Sequence, residues 1–130
     1  MISFKELGLD ENLVKAVEKL GFNQPMAVQE KILPLLIQDN CNDVIALAQT
    51  GTGKTAAFGL PIIQKTDTKL KQVQYLILCP TRELCLQIAD DLQDYSMFRE
   101  DIKIAAIFGG SSMERQVQKI RQGAQIVSAQ

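Results

Sequence analysis

Histidine is missing altogether from this 130-residue sequence, and its three cysteines, Cys41, Cys79 and Cys85, show no CxxC spacing. Without imidazoles or paired thiols, the usual zinc ligand sets and a disulfide framework are both argued against, and a reducing, cytoplasmic setting is expected. Nor is there an excess of positive charge. Lys and Arg number 14 against 15 Asp and Glu, for a net charge of -1. A protein that holds nucleic acid by overall charge has a broad basic footprint, so any nucleic-acid contact here has to be local. No apolar run approaches the roughly 20 residues that span a bilayer, so no membrane partner is expected. The opening MISFKELGLD has no basic stretch followed by an apolar one, so no signal peptide is expected either. There is no internal repeat, linker or low-complexity tract. The length suits one domain with one core.

What is present is an alternation of helix-like and strand-like segments. Asp10 is placed to cap a helix carrying Leu13, Val14, Val17 and Leu20 on one face, with Gly21 at the position where left-handed geometry ends a helix. A second helix is expected from Pro25, with Val28, Ile32, Leu33, Leu35 and Leu36 apolar and Pro34 bending or interrupting it. VIALA (44–48) reads as a strand buried on both faces, and a helix is expected from about Gly53. YLILC (75–79) reads as the next buried strand. Thr81 then caps a helix marked by Leu84, Ile88 and Leu92. IKIAAIF (102–108) reads as strand and GGSS as turn. A helix over 113–122 follows, with Val117 and Ile120 inward and Ser111 and Glu114 at capping-box spacing. QIVSA opens a fourth strand. This order implies α/β architecture, a parallel sheet in three layers flanked by helices.

The chemistry concentrates in AQTGTGKT (48–55). Glycines let backbone N–H groups turn inward around anionic oxygens, and a following helix adds its positive N-terminal end. Gly51 and Gly53 supply that freedom. In the pattern GxxxxGK[ST] the lysine reaches the terminal phosphates and the hydroxyl ligates magnesium, roles that fall to Lys54 and Thr55. Ala48 stands at the first position instead of glycine, one methyl group away from the strict template. A glycine-rich turn with an incidental lysine is the bland alternative.

Hydrolysis needs more: an acid at a neighbouring strand end to organise magnesium, and a group that positions water. The expected strands run into Pro80 and Thr81, into Gly109 and Gly110, and to Gln130. None presents a carboxylate, and Asp90 and Asp91 fall inside a helix. The chain is expected to hold nucleotide without cleaving it efficiently.

From Phe4 to Val127 the sequence resembles the first RecA-like domain of DEAD-box ATP-dependent RNA helicases, a P-loop NTPase fold. AQTGTGKT is similar to motif I of that family, which commonly begins with alanine. GFNQPMAVQ (21–29) looks like the Q motif, in which Gln29 would recognise adenine through its two-sided amide and Phe22 would pack on the base. Phe4 matches the isolated upstream aromatic. An amide that donates and accepts at once pairs with adenine and is mispaired against guanine. The resemblance thus implies ATP and Mg2+ as ligands. It implies a nucleotide set of Phe4, Phe22, Gln24, Gln29, Ala48, Gln49, Thr50, Gly51, Thr52, Gly53, Lys54 and Thr55, with Lys54 and Thr55 catalytic and Thr55 on the metal. Without it, the Q-motif stretch is only a helix-ending glycine, a helix-start proline and an exposed glutamine.

PTRELCLQ (80–87) resembles motif Ia, whose family role is to grip the RNA backbone. The resemblance implies RNA contacts from Pro80, Thr81 and Arg82, joined by the turn Gly109 and Gly110. Arg82 taken alone fits a surface ion pair equally well. Cys79 and Cys85 flank this motif and read as small core residues.

The resemblance breaks at the end, where IVSAQ has Gln130 in place of the threonine of the family's TPGR motif. The acidic DEAD sequence, the SAT motif and the second RecA-like domain are absent. The expectation is therefore an N-terminal portion of a helicase, a truncated RecA-like domain whose unpaired sheet edges favour self-association. Two alternatives remain open: an ATP-binding regulatory or assembly module without RNA activity and, ranked last, a small-molecule kinase.

Overall fold

The computed structural model describes residues 1–49, 51 and 53–130. The chain divides into two compact units, one of residues 1–65 with 94–98, the other of residues 66–93 with 99–130.

In the first unit, α1 spans Glu11–Lys19, α2 Ala27–Ile37 and α3 Lys54–Lys65. Its core is built from Leu13, Ala16, Val17, Leu33, Leu60 and Ile63, each no more than 1% exposed. Gly21 ends α1 as its position suggests. At φ +92° it donates to Glu18 O while Phe22 N donates to Val17 O, the paired closure that satisfies the last carbonyls of a helix. Asp10 occupies the N-cap, yet its side chain makes no capping bond; its backbone N–H donates instead to Gln64 Oε1 at 2.9 Å. The second helix starts two residues after Pro25, with Met26 as its N-cap, and runs through Pro34 to Ile37 without interruption. Leu35 lies outward at 47% exposure.

The strand expected at 44–48 does not form. The segment joins no strand, and Ile45 and Leu47 stand 92% and 95% exposed. An apolar extended segment becomes a strand only when a neighbour accepts its backbone hydrogen bonds, and among the described residues none does.

The second unit holds the sheet. β1 (Tyr75–Leu78), β2 (Ile104–Ile107) and β3 (Ile126–Ala129) pair in parallel in the order β1-β3-β2. Tyr75 and Ile104 both stand opposite Ile126, and Leu78 and Ile107 both stand opposite Ala129. The connections run through α4 (Arg82–Tyr95) and α5 (Met113–Arg121), giving the parallel, helix-flanked sheet expected. The central strand is sealed, with Ile126 and Ser128 fully buried and Val127 nearly so. β1 differs from the expected buried strand: Leu76 and Leu78 are 60% and 76% exposed, as befits an edge strand with one open face.

Of the two sheet-covering helices, α4 buries Ile88 and Leu92 as expected and departs at Leu84, whereas α5 turns a different face inward. α4 buries Cys85, Ile88, Ala89 and Leu92 and leaves Leu84 exposed. α5 buries Gln116, whose Nε2 donates to Phe108 O at 2.9 Å, and leaves Val117 out and Ile120 only half-buried. Its cap is Ser112, which accepts from Arg115 N at 3.3 Å, not Ser111. A hydroxyl caps by reaching the N–H three residues on, so the cap fixes where the helix starts.

Candidate functional site

In the first unit the glutamine and the glycine loop meet. Gln29 is the third residue of α2, and from there its side chain folds back so that Oε1 accepts from Met26 N at 2.9 Å. The other end of the same amide, Nε2, donates to Gly53 O at 3.2 Å. Gln29 is 2% exposed, so the exposed glutamine of the plain sequence reading is instead a buried bridge between two backbone segments. A primary amide has a second N–H and a second lone pair beyond these two bonds, enough for one further donor and acceptor pair.

Gly53 has to be glycine on two counts. Its φ of +86° lies in the left-handed region, and a Cβ there would run into Gln29 Nε2 and Met26 Sδ. Gly51, at φ +81°, turns the same way. Immediately after Gly53, α3 begins at Lys54, with Ala56 and Ala57 buried to seat it. The first N–H groups of a helix lack partners along the chain, and the helix dipole makes that end positive. Lys54 is exposed there and Thr55 half-buried. The arrangement suits an anion with several oxygens.

The remaining nucleotide candidates are more scattered. Phe22 is 37% exposed and held by the α1 closure, with its ring available to stack. Phe4 is 4% exposed and belongs to the apolar core, so whatever it contributes passes through packing. Gln24 and Gln49 are exposed and Ala48 is half-buried. Thr50 and Thr52 lie outside the described residues. A cavity of about 510 Å3, walled by Val28, Ile32, Leu36 and Phe58 together with Asn42 and Asp43, touches the loop at Lys54 among the described residues. Gln29 is not in its lining, and mostly apolar walls with a carboxylate among them do not suit phosphate.

In the second unit the candidate RNA residues gather at one end of the parallel strands. Thr81 Oγ1 accepts from Leu84 N at 3.1 Å, capping α4 as expected. Arg82, the first residue of α4, lays its guanidinium over the Phe108 ring at 4.7 Å from the centroid. Phe108 directly precedes the glycine turn, and a Cβ on Gly110 would stand 3.8 Å from Arg82 Nη1. Arg82 is therefore a stacked cation beside Gly110, with no ion pair among the described residues. Stacking leaves the edges of the guanidinium directed outward, the geometry that pairs with phosphate oxygens. Pro80, Thr81, Arg82, Gly109 and Gly110 are all exposed.

Two partners in this cluster were not evident from the sequence. Phe108 carries Arg82, and Gln116 holds the Phe108 carbonyl; an aromatic at a strand end directly before GG was the only available hint. Cys79 and Cys85 are buried and form no disulfide, as small core residues should.

Comparison with known proteins gives a consistent result. Residues 26–130 match the DEAD/DEAH box helicase family. The chain is 46% identical over 127 residues to the ATP-dependent RNA helicase CshA of Listeria monocytogenes, covering 98% of this chain and 24% of that protein. It is 42% identical over 125 residues to the ATP-dependent RNA helicase DeaD of Escherichia coli, covering 96% and 20%. The chain thus spans about a quarter or less of the length of these curated relatives. Among solved structures, a DEAD box protein from the hyperthermophile Methanococcus jannaschii superposes with a TM-score of 0.92 at 35% identity, covering 99% of this chain and 34% of that one. Saccharomyces cerevisiae Dbp5 bound to RNA and ADP BeF3 superposes with a TM-score of 0.87 at 33% identity, covering 98% and 31%.

Proposed function

This chain belongs to the DEAD/DEAH box helicase family, and from that premise we propose that it is the ATP-binding portion of an ATP-dependent RNA helicase that remodels RNA duplexes or RNA–protein complexes. The observation that carries the proposal is the hydrogen bond from Gln29 Nε2 to Gly53 O. It ties the residue suited to reading adenine to the loop suited to holding phosphate, so base and phosphates are gripped by one connected element. Gln29 reads the adenine edge with its remaining donor and acceptor, and Phe22 stacks on the base. Gly51, Gly53 and the start of α3 cradle the phosphates, and Lys54 neutralises them.

Mg2+ arrives with the nucleotide in this reading. From these residues the Thr55 hydroxyl would join the phosphates in holding the metal. β1 and β2 run into Cys79 and Phe108 and not into a carboxylate, in keeping with a site proposed to bind nucleotide without turning it over efficiently. RNA is held through its backbone by Thr81, Arg82 and the Gly109–Gly110 turn, without base readout. A cytoplasmic setting belongs to the same reading. Among the described residues no helix is long and apolar enough to cross a membrane.

Phosphate release from Mg-ATP, followed together with nucleotide occupancy on the purified chain, tests this reading. Occupied protein with release at the buffer rate agrees with it, and Lys54→Ala should abolish the occupancy. Fast release, or occupancy indifferent to Lys54→Ala, counts against it.

A further inference from the structure

Lys65, at the far end of α3 from the phosphate loop, makes contacts that neither the family match nor the loop chemistry calls for. Its Nζ donates to Leu36 O at 3.0 Å and to Gln38 O at 2.8 Å. These carbonyls lie at the C-terminal end of α2, where the chain leaves the helix in extended geometry at Gln38 with no glycine closure. The last turn of α2 contains no basic residue of its own. A helix end leaves carbonyls unsatisfied and carries partial negative charge, so an ammonium group there satisfies both needs. Lys65 supplies from another helix the cation that α2 lacks.

The two helices run in the same direction. The start of α2 meets the start of α3 through Gln29 and Gly53, and the end of α2 meets the end of α3 through Lys65. With 11 and 12 residues, they are pinned at two points roughly 15 Å apart. A rod held at both ends can neither slide nor tilt against its neighbour. Released at the far end, α2 keeps the Gln29 bond and side-chain packing to fix the amide over the loop.

We propose that Lys65 is a positioning residue for nucleotide selection: by anchoring the C-terminal end of α2, it fixes the Gln29 amide in the register that reads adenine. The inference rests on the nucleotide reading above, and it adds a determinant remote from the ligand. Gln64 reinforces the anchor by gripping the segment before α1, with Nε2 donating to Gly8 O at 3.0 Å and Oε1 accepting from Asp10 N at 2.9 Å. The last two residues of α3 therefore hold both flanking segments of the first unit.

Two readouts on the full 130-residue chain test the idea. One is the pair of dissociation constants for Mg-ADP and Mg-GDP; the other is the side-chain amide resonance of Gln29 in the 15N-labelled protein without nucleotide. In Lys65→Met, which keeps the aliphatic stem, the Gln29 resonance should move and the preference for ADP over GDP should fall at least fivefold, with GDP affinity within twofold of the parent. Lys65→Arg should restore both. An unmoved resonance with unchanged preference overturns the proposal, and so does an equal loss of ADP and GDP affinity, which would make Lys65 a packing residue only. If Lys65→Met does not fold, Lys65→Gln is read by the same two criteria. If the parent chain shows no adenine preference, the nucleotide reading fails, and with it the selection role. The Gln29 resonance then still reports whether Lys65 holds the amide, and an unmoved signal removes the anchoring claim as well.

Discussion

Cys85 and Ser128 exchange two hydrogen bonds: the Cys85 thiol donates to Ser128 O at 3.1 Å, and the Ser128 hydroxyl donates to Cys85 O at 3.0 Å. Both residues are fully buried. The pair fixes the first turn of α4 against the central strand, and that turn begins with Arg82. Ser128→Ala should lower the denaturation midpoint by the equivalent of about 1 kcal/mol, the usual net contribution of a buried neutral hydrogen bond. An unchanged midpoint would show that the exchange contributes nothing.

Gly53→Ala should weaken Mg-ADP binding at least tenfold in a chain that remains folded. The new methyl group meets Gln29 Nε2 and a backbone φ of +86°. Calorimetry with a circular dichroism control checks this, and near-parental affinity would mean that the loop reshapes freely.

The parts of this fold governed by local chemistry could be read directly from the sequence. Gly21 ends α1 and Thr81 caps α4 because each depends on neighbours a few residues away, and the alternation of strand-like and helix-like segments implied the parallel sheet although its strands pair at long range. VIALA misled because its apolar composition describes what a strand requires, whereas Ile45 and Leu47 have no described strand to pair with. α5 starts at Met113 as expected, but Gln116 and not Val117 is the buried residue, because its amide finds the Phe108 carbonyl, a tertiary partner that apolar periodicity does not signal. In the candidate site, the spacing of the glycine loop singled out Gly53, whereas Gln29 stood out only through the family resemblance. The bond between them, the Arg82–Phe108 stack and the Lys65 anchor join positions 24 to 29 residues apart, a range at which no local pattern signals contact.

Arg82→Lys should impair RNA binding nearly as much as Arg82→Ala. An ammonium keeps the charge but lacks the flat fork that stacks on Phe108 and grips phosphate. Phe108→Leu should produce a milder, several-fold loss. Fluorescence anisotropy with a labelled single-stranded RNA at low salt measures all three. A fully active Arg82→Lys variant would reduce Arg82 to a point charge.

Exposed Ile45, Leu47, Leu76 and Leu78 predict concentration-dependent self-association. Sedimentation velocity should show species larger than a monomer at micromolar concentration, reduced in an Ile45→Lys, Leu47→Lys double variant. A monomer at every concentration tested would contradict the prediction.

The most direct test of the central claim is calorimetric titration of the chain with Mg-ADP and Mg-GDP in parallel, repeated on Gln29→Ala. One site that prefers ADP by at least tenfold is expected, with the preference lost in the variant as the amide bridging Met26 and Gly53 is removed. Equal binding of both nucleotides, or binding of neither by a chain shown to be folded, would contradict it.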